Sequence, residues 1–254
     1  MHPTMHAANA PSQLWLVRHG QSTGNVARDL AESGQLDEID VDERDMDVAL
    51  SDLGREQAGD LGRWLAELPA ERAPTLVYSS PYRRARETAE VALSSCAAPV
   101  CDLPVRLDER LRDRDLGVLD RLTVRGITTR FPEQAELRKR VGKFYHRPPG
   151  GEAWTDVLLR LRSFTSSLAA EHAGERVLVF THDVVVLLFR YLLEGLDERT
   201  VLSIGREDPV ANAGITAYRW TGQGWRLDGY NVVEPLRESG SPVTREQEER
   251  VDAG

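Results

Sequence analysis

The chain has 254 residues, 41% hydrophobic and 29% charged, enough for one sizeable core and unlike a disordered or fibrous chain. With 32 Lys and Arg against 41 Asp and Glu, the formal net charge is −9, which argues against nucleic acid or an anionic membrane surface as the main partner. The longest apolar run, 184–189, is far shorter than the roughly 20 residues that span a bilayer. Residues 1–13 lack the basic cluster and apolar run of a secretory signal, so a cytoplasmic location is expected. Cys96 and Cys101 have no Cys-x-x-Cys spacing and read as reduced thiols.

In chain order, residues 14–17 are a short apolar run feeding into Arg18-His19-Gly20, the pattern of a buried strand ending in a loop. The Asp- and Glu-rich stretch 33–49 suits a solvated excursion or lid. Leu53, Leu61, Trp64, Leu65 and Leu68 are spaced for one face of a helix over 53–68, ended by Pro69 and Pro74. A second strand is expected at 75–78, and Ser79-Ser80-Pro81 then opens a helix through Arg84 and Thr88 to about Leu93. A third strand is expected at 104–107, and a short helix at 126–131 is stopped by Pro132. The rigid turn Pro148-Pro149-Gly150-Gly151 precedes a helix over 152–172. The clearest strand is 176–180, which runs into Thr181-His182-Asp183 and a helix at 184–194. Strands at 215–220 and 225–232 are joined by the hairpin turn Thr221-Gly222-Gln223-Gly224.

Strands alternating with helices predict an α/β fold: a three-layer α/β/α sandwich whose mainly parallel sheet has an antiparallel edge. One domain over 14–236 is expected, after a flexible 1–13 and before a polar tail at 237–254. Ligands of open parallel sheets sit beyond the carboxyl ends of the strands. His19 and His182 each follow a predicted strand, and Arg84 lies on the helix after the strand at 75–78. Each could simply cap or hydrogen-bond at a strand end. Three such groups at one sheet edge, with Arg18 beside them, point instead to an anion site. No Gly-x-x-x-x-Gly-Lys-Ser/Thr is present, no His/Cys/carboxylate spacing speaks for zinc, and 37–47 lacks the ligand order of a calcium loop.

The segment Arg18-His19-Gly20-Gln21-Ser22-Thr23-Gly24-Asn25 resembles the Arg-His-Gly signature of the histidine phosphatase superfamily, which includes phosphoglycerate mutases. Ser79-Ser80-Pro81-Tyr82-Arg83-Arg84-Ala85-Arg86-Glu87-Thr88-Ala89 resembles its second motif, and the run from Val177 to His182 its third. The likeness spans residues 14–220 and implies a phosphoglycerate mutase-like fold. It implies His19 as a nucleophile that becomes a phosphohistidine, with Arg18, Arg84 and His182 on the phosphoryl oxygens and Arg83 solvated. It implies neither metal nor cofactor. Gln21 and Asn25 match pocket-lining positions of the family, or are ordinary loop and helix-start residues.

For the proton donor, the family's Glu-x-x-x-Gly pattern falls on Asp113, one methylene shorter than the usual Glu. Where this branch usually has His-Gly, the chain has His182-Asp183, which makes Asp183 a rival donor or a cap for the following helix. Glu109 ranks third. The loop around Tyr145 and Arg147 resembles the segment before a long helix in several members, including the bisphosphatase half of the bifunctional fructose-bisphosphate enzyme. Those two side chains would contact substrate or anchor a rigid turn. The resemblance therefore implies a phosphomonoester hydrolase acting on a small phosphorylated substrate. The alternatives are a phosphoglycerate mutase, whose long motif after Asn25 is not visible, or a silent phospho-ligand-binding member. Oligomeric state is left open.

Overall fold

A computed structural model describes residues 10–246. Four strands, β1 (Gln13–Arg18), β2 (Leu76–Ser79), β3 (Val105–Leu107) and β4 (Arg176–Thr181), pair in parallel. β5 (Ile215–Trp220) runs antiparallel to β1, and β6 (Trp225–Val232) antiparallel to β5. The sheet order is β3-β2-β4-β1-β5-β6. The chain is an α/β sandwich with an antiparallel edge, as its sequence predicts.

The strand period of two sorts the core onto both faces. Leu14 and Leu16 of β1 lie with Val177 and Val179 of β4 against α6 (Trp154–Glu171) and α7 (Asp183–Glu194). Trp15 and Val17 lie with Val77, Leu178 and Phe180 against α2 (Asp52–Glu67) and α3 (Arg83–Ser94). Because β1, β2 and β4 are parallel neighbours, their carboxyl ends meet at one edge, where the site is built.

Four helices escape the periodicity argument. α1 (Thr23–Ser33) is started by a reciprocal cap between Ser22 and Asn25. Pro132, expected only as a stop, also opens α5 (Pro132–Val141), since a first-turn proline lacks only an N–H that would be unpaired anyway. It thus follows directly on α4 (Val124–Arg130). α8 (Glu198–Glu207) is capped by Asp197, whose side chain accepts from Thr200 N at 2.8 Å. α9 (Glu234–Ser239) crosses the expected tail boundary, and residues 242–246 return to the carboxyl edge of the sheet. Of the expected N-terminal extension, 1–9 lie outside the described residues; Ala10 and Ser12 are tied to the turn at Gly174 and Glu175. The acidic stretch 33–49 is not wholly solvated, because Ile39 and Val48 are buried under it.

The loop after β1 touches the first turn of α2 backbone on backbone. A Cβ at Gly54 would lie 1.9 Å from Gln21 O, and one at Gly20 would lie 2.5 Å from Gly54 O. No flexible side chain is present to yield. Gly54→Ala should therefore lower the free energy of unfolding by about 1–3 kcal/mol in urea titrations. Gly224→Ala, which meets nothing within 4 Å, should stay within about 0.5 kcal/mol of wild type. Equal midpoints for both variants would contradict the close approach.

Candidate active site

The ladder continues one residue past the strand ends. His19 N–H donates to Thr181 O at 2.9 Å, and Ser80 N–H donates to Phe180 O at 2.9 Å. This places the His19 and His182 rings edge to face, with centroids 5.2 Å apart, and Tyr82 5.3 Å from His182. The loop holding His19 is pinned from α3, where Thr88 Oγ1 accepts from Gly20 N–H at 3.0 Å.

His19 is buried, with its Nδ1 2.7 Å from Gly20 O. A carbonyl only accepts, so Nδ1 carries the proton and Nε2 presents a bare lone pair. Burial, followed by Arg84, His182 and Arg18, holds the imidazole well below its ordinary pKa of 6.5. The ring is thus neutral at pH 7.

His182 takes the same Nδ1–H tautomer, but with its Nε2 lone pair occupied. Its Nε2 lies 2.9 Å from Ser80 Oγ, which accepts from Tyr82 N–H at 3.2 Å and so has its own proton to give. Nδ1–H is left facing Asp113, with Oδ2 at 3.2 Å but out of line for a hydrogen bond. Burial lowers the His182 pKa, with Asp113 opposing. Burial would raise the Asp113 carboxyl, but His182, Arg84 and His19 outweigh it and hold Asp113 well below the ordinary carboxylate range.

Two guanidinium groups flank the imidazoles. Arg84 is buried and donates to Asp45 O at 2.7 Å, Asp45 Oδ1 at 2.9 Å and Asp113 Oδ2 at 2.8 Å. Burial opposes its charge, but Asp45 and Asp113 raise its pKa well above the ordinary value. The neighbouring Arg83 is exposed and pairs with Glu87. Arg18 is held by Val210 O at 2.6 Å and lies 3.3 Å from Glu246 Oε1. Its Nε is buried without a hydrogen-bond partner among the described residues. Asn25 donates from Nδ2 to the same Glu246 oxygen and accepts from Ser22 N–H at 2.9 Å.

These groups open onto a cavity of about 480 Å³, far larger than one phosphoryl group. Its wall includes Ile39, Val41, Asp45 and Val48 from the acidic stretch. Arg18, His19, Asn25, Arg84, Asp113 and Asp183 line it, and His182 stands behind against His19 and Asp113. Burial pushes the Asp183 carboxyl up to about 6, opposed by Arg18 and reinforced by Glu246 and Asp113.

Besides His182, four candidates are not among the lining residues. The Gln21 side chain instead accepts from Ser51 Oγ at 2.8 Å, bracing the start of α2. Arg147 pairs with Asp156 in the first turn of α6, and Tyr145 packs on Phe144 with its outer face exposed. Glu109 sits on a short 3-10 turn away from the lining. Sequence reasoning passed over Ser80, Asp45, Arg28 and Glu246, all of which bear on the site. Ser80 was read as a helix start, yet α3 begins at Arg83 and the hydroxyl is committed to His182. Asp45 and Glu246 come from polar stretches with no local signal. Among the described residues, no group of three His, Cys, Asp or Glu is placed to hold a metal, and no helix is long and apolar enough to cross a membrane.

Residues 14–233 match the model of the histidine phosphatase superfamily, branch 1. Phosphoglycerate mutase-like protein 4 of Arabidopsis thaliana is 28% identical over 90% of this chain and 89% of its own length. The metal-independent phosphoserine phosphatase of the same plant is 26% identical over 90% of this chain and 85% of its own. The mycobacterial glucosyl-3-phosphoglycerate phosphatase, solved with vanadate, superimposes with a TM-score of 0.67 at 29% identity, covering 87% of this chain and 99% of that one.

The Ser80 contact yields a direct test. Ser80→Ala leaves Tyr82 N–H and His182 Nε2 without their partner, so unfolding free energy should drop by about 1–3 kcal/mol. The 15N shifts of His182 should move from a pure Nδ1–H tautomer toward a mixture. Unchanged ring shifts would show that Ser80 does not set the tautomer.

Proposed function

The chain belongs to the histidine phosphatase superfamily, branch 1, and on that basis we propose that it is a phosphomonoester hydrolase working through a phosphohistidine on His19. One observation carries this reading: the unprotonated Nε2 of a buried, neutral imidazole stands among two fixed guanidinium groups and a second imidazole. Phosphoryl transfer needs little more than a positioned nucleophile and charge stabilisation of the equatorial oxygens. The phosphatase names of the phosphoserine and glucosyl-3-phosphoglycerate relatives support hydrolysis as the outcome.

In the proposed reaction, Nε2 of His19 attacks phosphorus and the ester P–O bond breaks. The developing positive charge on the ring is stabilised by Gly20 O through Nδ1–H. Arg18 and Arg84 fork onto the transferring oxygens, and His182 Nδ1–H donates a further bond. The leaving oxygen takes a proton from a carboxyl group. Water then attacks the phosphohistidine and returns a proton to that carboxylate, releasing phosphate and free His19.

Asp113 is the donor favoured by position, lying against both Arg84 and His182. It is ionised in the free protein, and a phosphoryl dianion drawing on the same cations would raise it toward a protonated state. The raised pKa of Asp183, about 6, favours that residue as the second assignment, since it already holds a proton in mildly acidic solution.

His19→Ala should reduce hydrolysis of p-nitrophenyl phosphate by at least about 10³-fold. Arg84→Ala should cost about 10²–10³ in kcat. Conversion of 3-phosphoglycerate to its isomer, rather than to glycerate and phosphate, would establish a mutase instead. Turnover of neither substrate between pH 5 and 9 would favour a silent binding role.

The pH profile separates the two acids. A lowered His19 pKa means the neutral nucleophile persists below pH 6.5, so kcat/KM should show no acid-side loss centred there. If Asp183 is the donor, its active protonated form disappears as pH rises, giving a basic limb near pH 6 that Asp183→Asn removes. If Asp113 is the donor, Asp113→Asn should fail mainly on alkyl phosphates and spare p-nitrophenyl phosphate. Wild-type rates on alkyl phosphates for both variants would exclude both residues.

A further inference from the structure

The phosphoryl-binding arginine already holds an anion of this chain's own. Glu246 Oε1 lies 3.3 Å from Arg18 Nη2 and accepts from Asn25 Nδ2. Arg28, one turn beyond Asn25 on α1, lines the same cavity beside Glu246. We infer that Glu246 is an internal ligand of the phosphoryl site, a carboxylate seated on Arg18 and Asn25 that an incoming phosphoryl group must displace. This rests on the reading of Arg18 and His19 as the phosphoryl site and adds a competitor to it.

The contact is built rather than incidental, because the segment carrying it is pinned on both sides. Asn212 N–H donates to Thr244 O at 2.9 Å, and Thr244 Oγ1 donates to Asn212 Oδ1 at 2.9 Å. Gln57 Nε2 donates to Pro242 O at 2.9 Å and to Thr244 Oγ1 at 3.1 Å. The pinning residues are themselves part of the site frame. Asn212 Nδ2 reaches His19 O at 3.2 Å and Asn25 Oδ1 at 3.3 Å, while Gln57 Oε1 accepts from Gln21 N–H at 2.9 Å. The same two side chains that place the nucleophile loop therefore place Glu246.

The two ends of the ion pair differ in how they are held. The Arg18 side chain is 2% exposed and fixed by Val210 O, whereas the Glu246 side chain is 26% exposed. The guanidinium is stationary and the carboxylate is the exchangeable partner. Arg18 and Arg28 hold the Glu246 carboxyl below its ordinary pKa despite burial, so it is charged at neutral pH. Asp45 differs, because its backbone carbonyl also accepts from Arg84 and so braces the acidic stretch over the cavity.

Titration calorimetry with inorganic phosphate tests this on the full chain, on Glu246→Gln, and on a chain ending at Ser241. Glu246→Gln keeps the anchors at Pro242 and Thr244, so its readout does not depend on the truncated chain folding. Both variants should bind phosphate about 3- to 10-fold more tightly than wild type, and the gap should narrow at high salt. Equal dissociation constants in all three proteins would overturn the inference and leave the hydrolase reading standing. Absence of phosphate binding in all three, together with no hydrolysis of p-nitrophenyl phosphate, would overturn the reading and the inference together.

Discussion

Burying cationic groups beside imidazoles is the constraint on which this molecule turns. An unpaired charge away from water costs several kcal/mol, so Arg18 and Arg84 can sit at the sheet edge only with anionic or carbonyl partners in reach. The fold supplies those partners from distant parts of the chain: Asp45 from the acidic stretch, Asp113 from the loop after β3, Val210 from the turn before β5, and Glu246 from the returning C-terminal segment. Burial, reinforced by the same cations, suppresses protonation of His19, which keeps its Nε2 lone pair free. Structure and reactivity thus share one electrostatic cause.

The parallel part of the sheet converts that requirement into geometry. β4 lies between β2 and β1, so Ser80, His182 and His19 emerge side by side without any loop having to search for its place. The first turn of α2 and the second turn of α3 press on the loop after β1, through the Gly20–Gly54 approach and the Thr88 hydroxyl. Different neighbours fix the same Nδ1–H tautomer on both rings and leave opposite nitrogens free: a backbone carbonyl occupies Nδ1 of His19 and a serine hydroxyl occupies Nε2 of His182. One ring offers a lone pair and the other offers a proton.

The strands and the site's central residues were legible because their signals are local. Apolar runs such as Leu14–Val17 and Val177–Phe180 end in His19 and Thr181-His182, and a chain that buries both faces of a sheet can place such endings only at its edge. The helix α5 was not legible because it buries no residue and a proline opens it; α8 seats Val201 in the core, but its ten residues hold few apolar positions and an aspartate cap opens it. Tyr145, Arg147 and Gln21 share stretches with site residues, yet each side chain finds a nearer structural partner, and pattern matching is blind to that competition. Glu246 could not be foreseen at all. Its role depends on a polar segment folding back some 228 positions to reach Arg18, an event that distant partners such as Asn212 and Gln57 specify.

The proposed function rests on covalent capture of phosphorus by Nε2 of His19. Acid-free quenching of the protein with a 32P-labelled phosphomonoester, followed by peptide mapping, addresses that step directly. An acid-labile, alkali-stable phosphate on His19, absent from His19→Ala, is the expected result. Turnover with no trapped phosphoryl group at any time point, or equal labelling of His19→Ala, would contradict it.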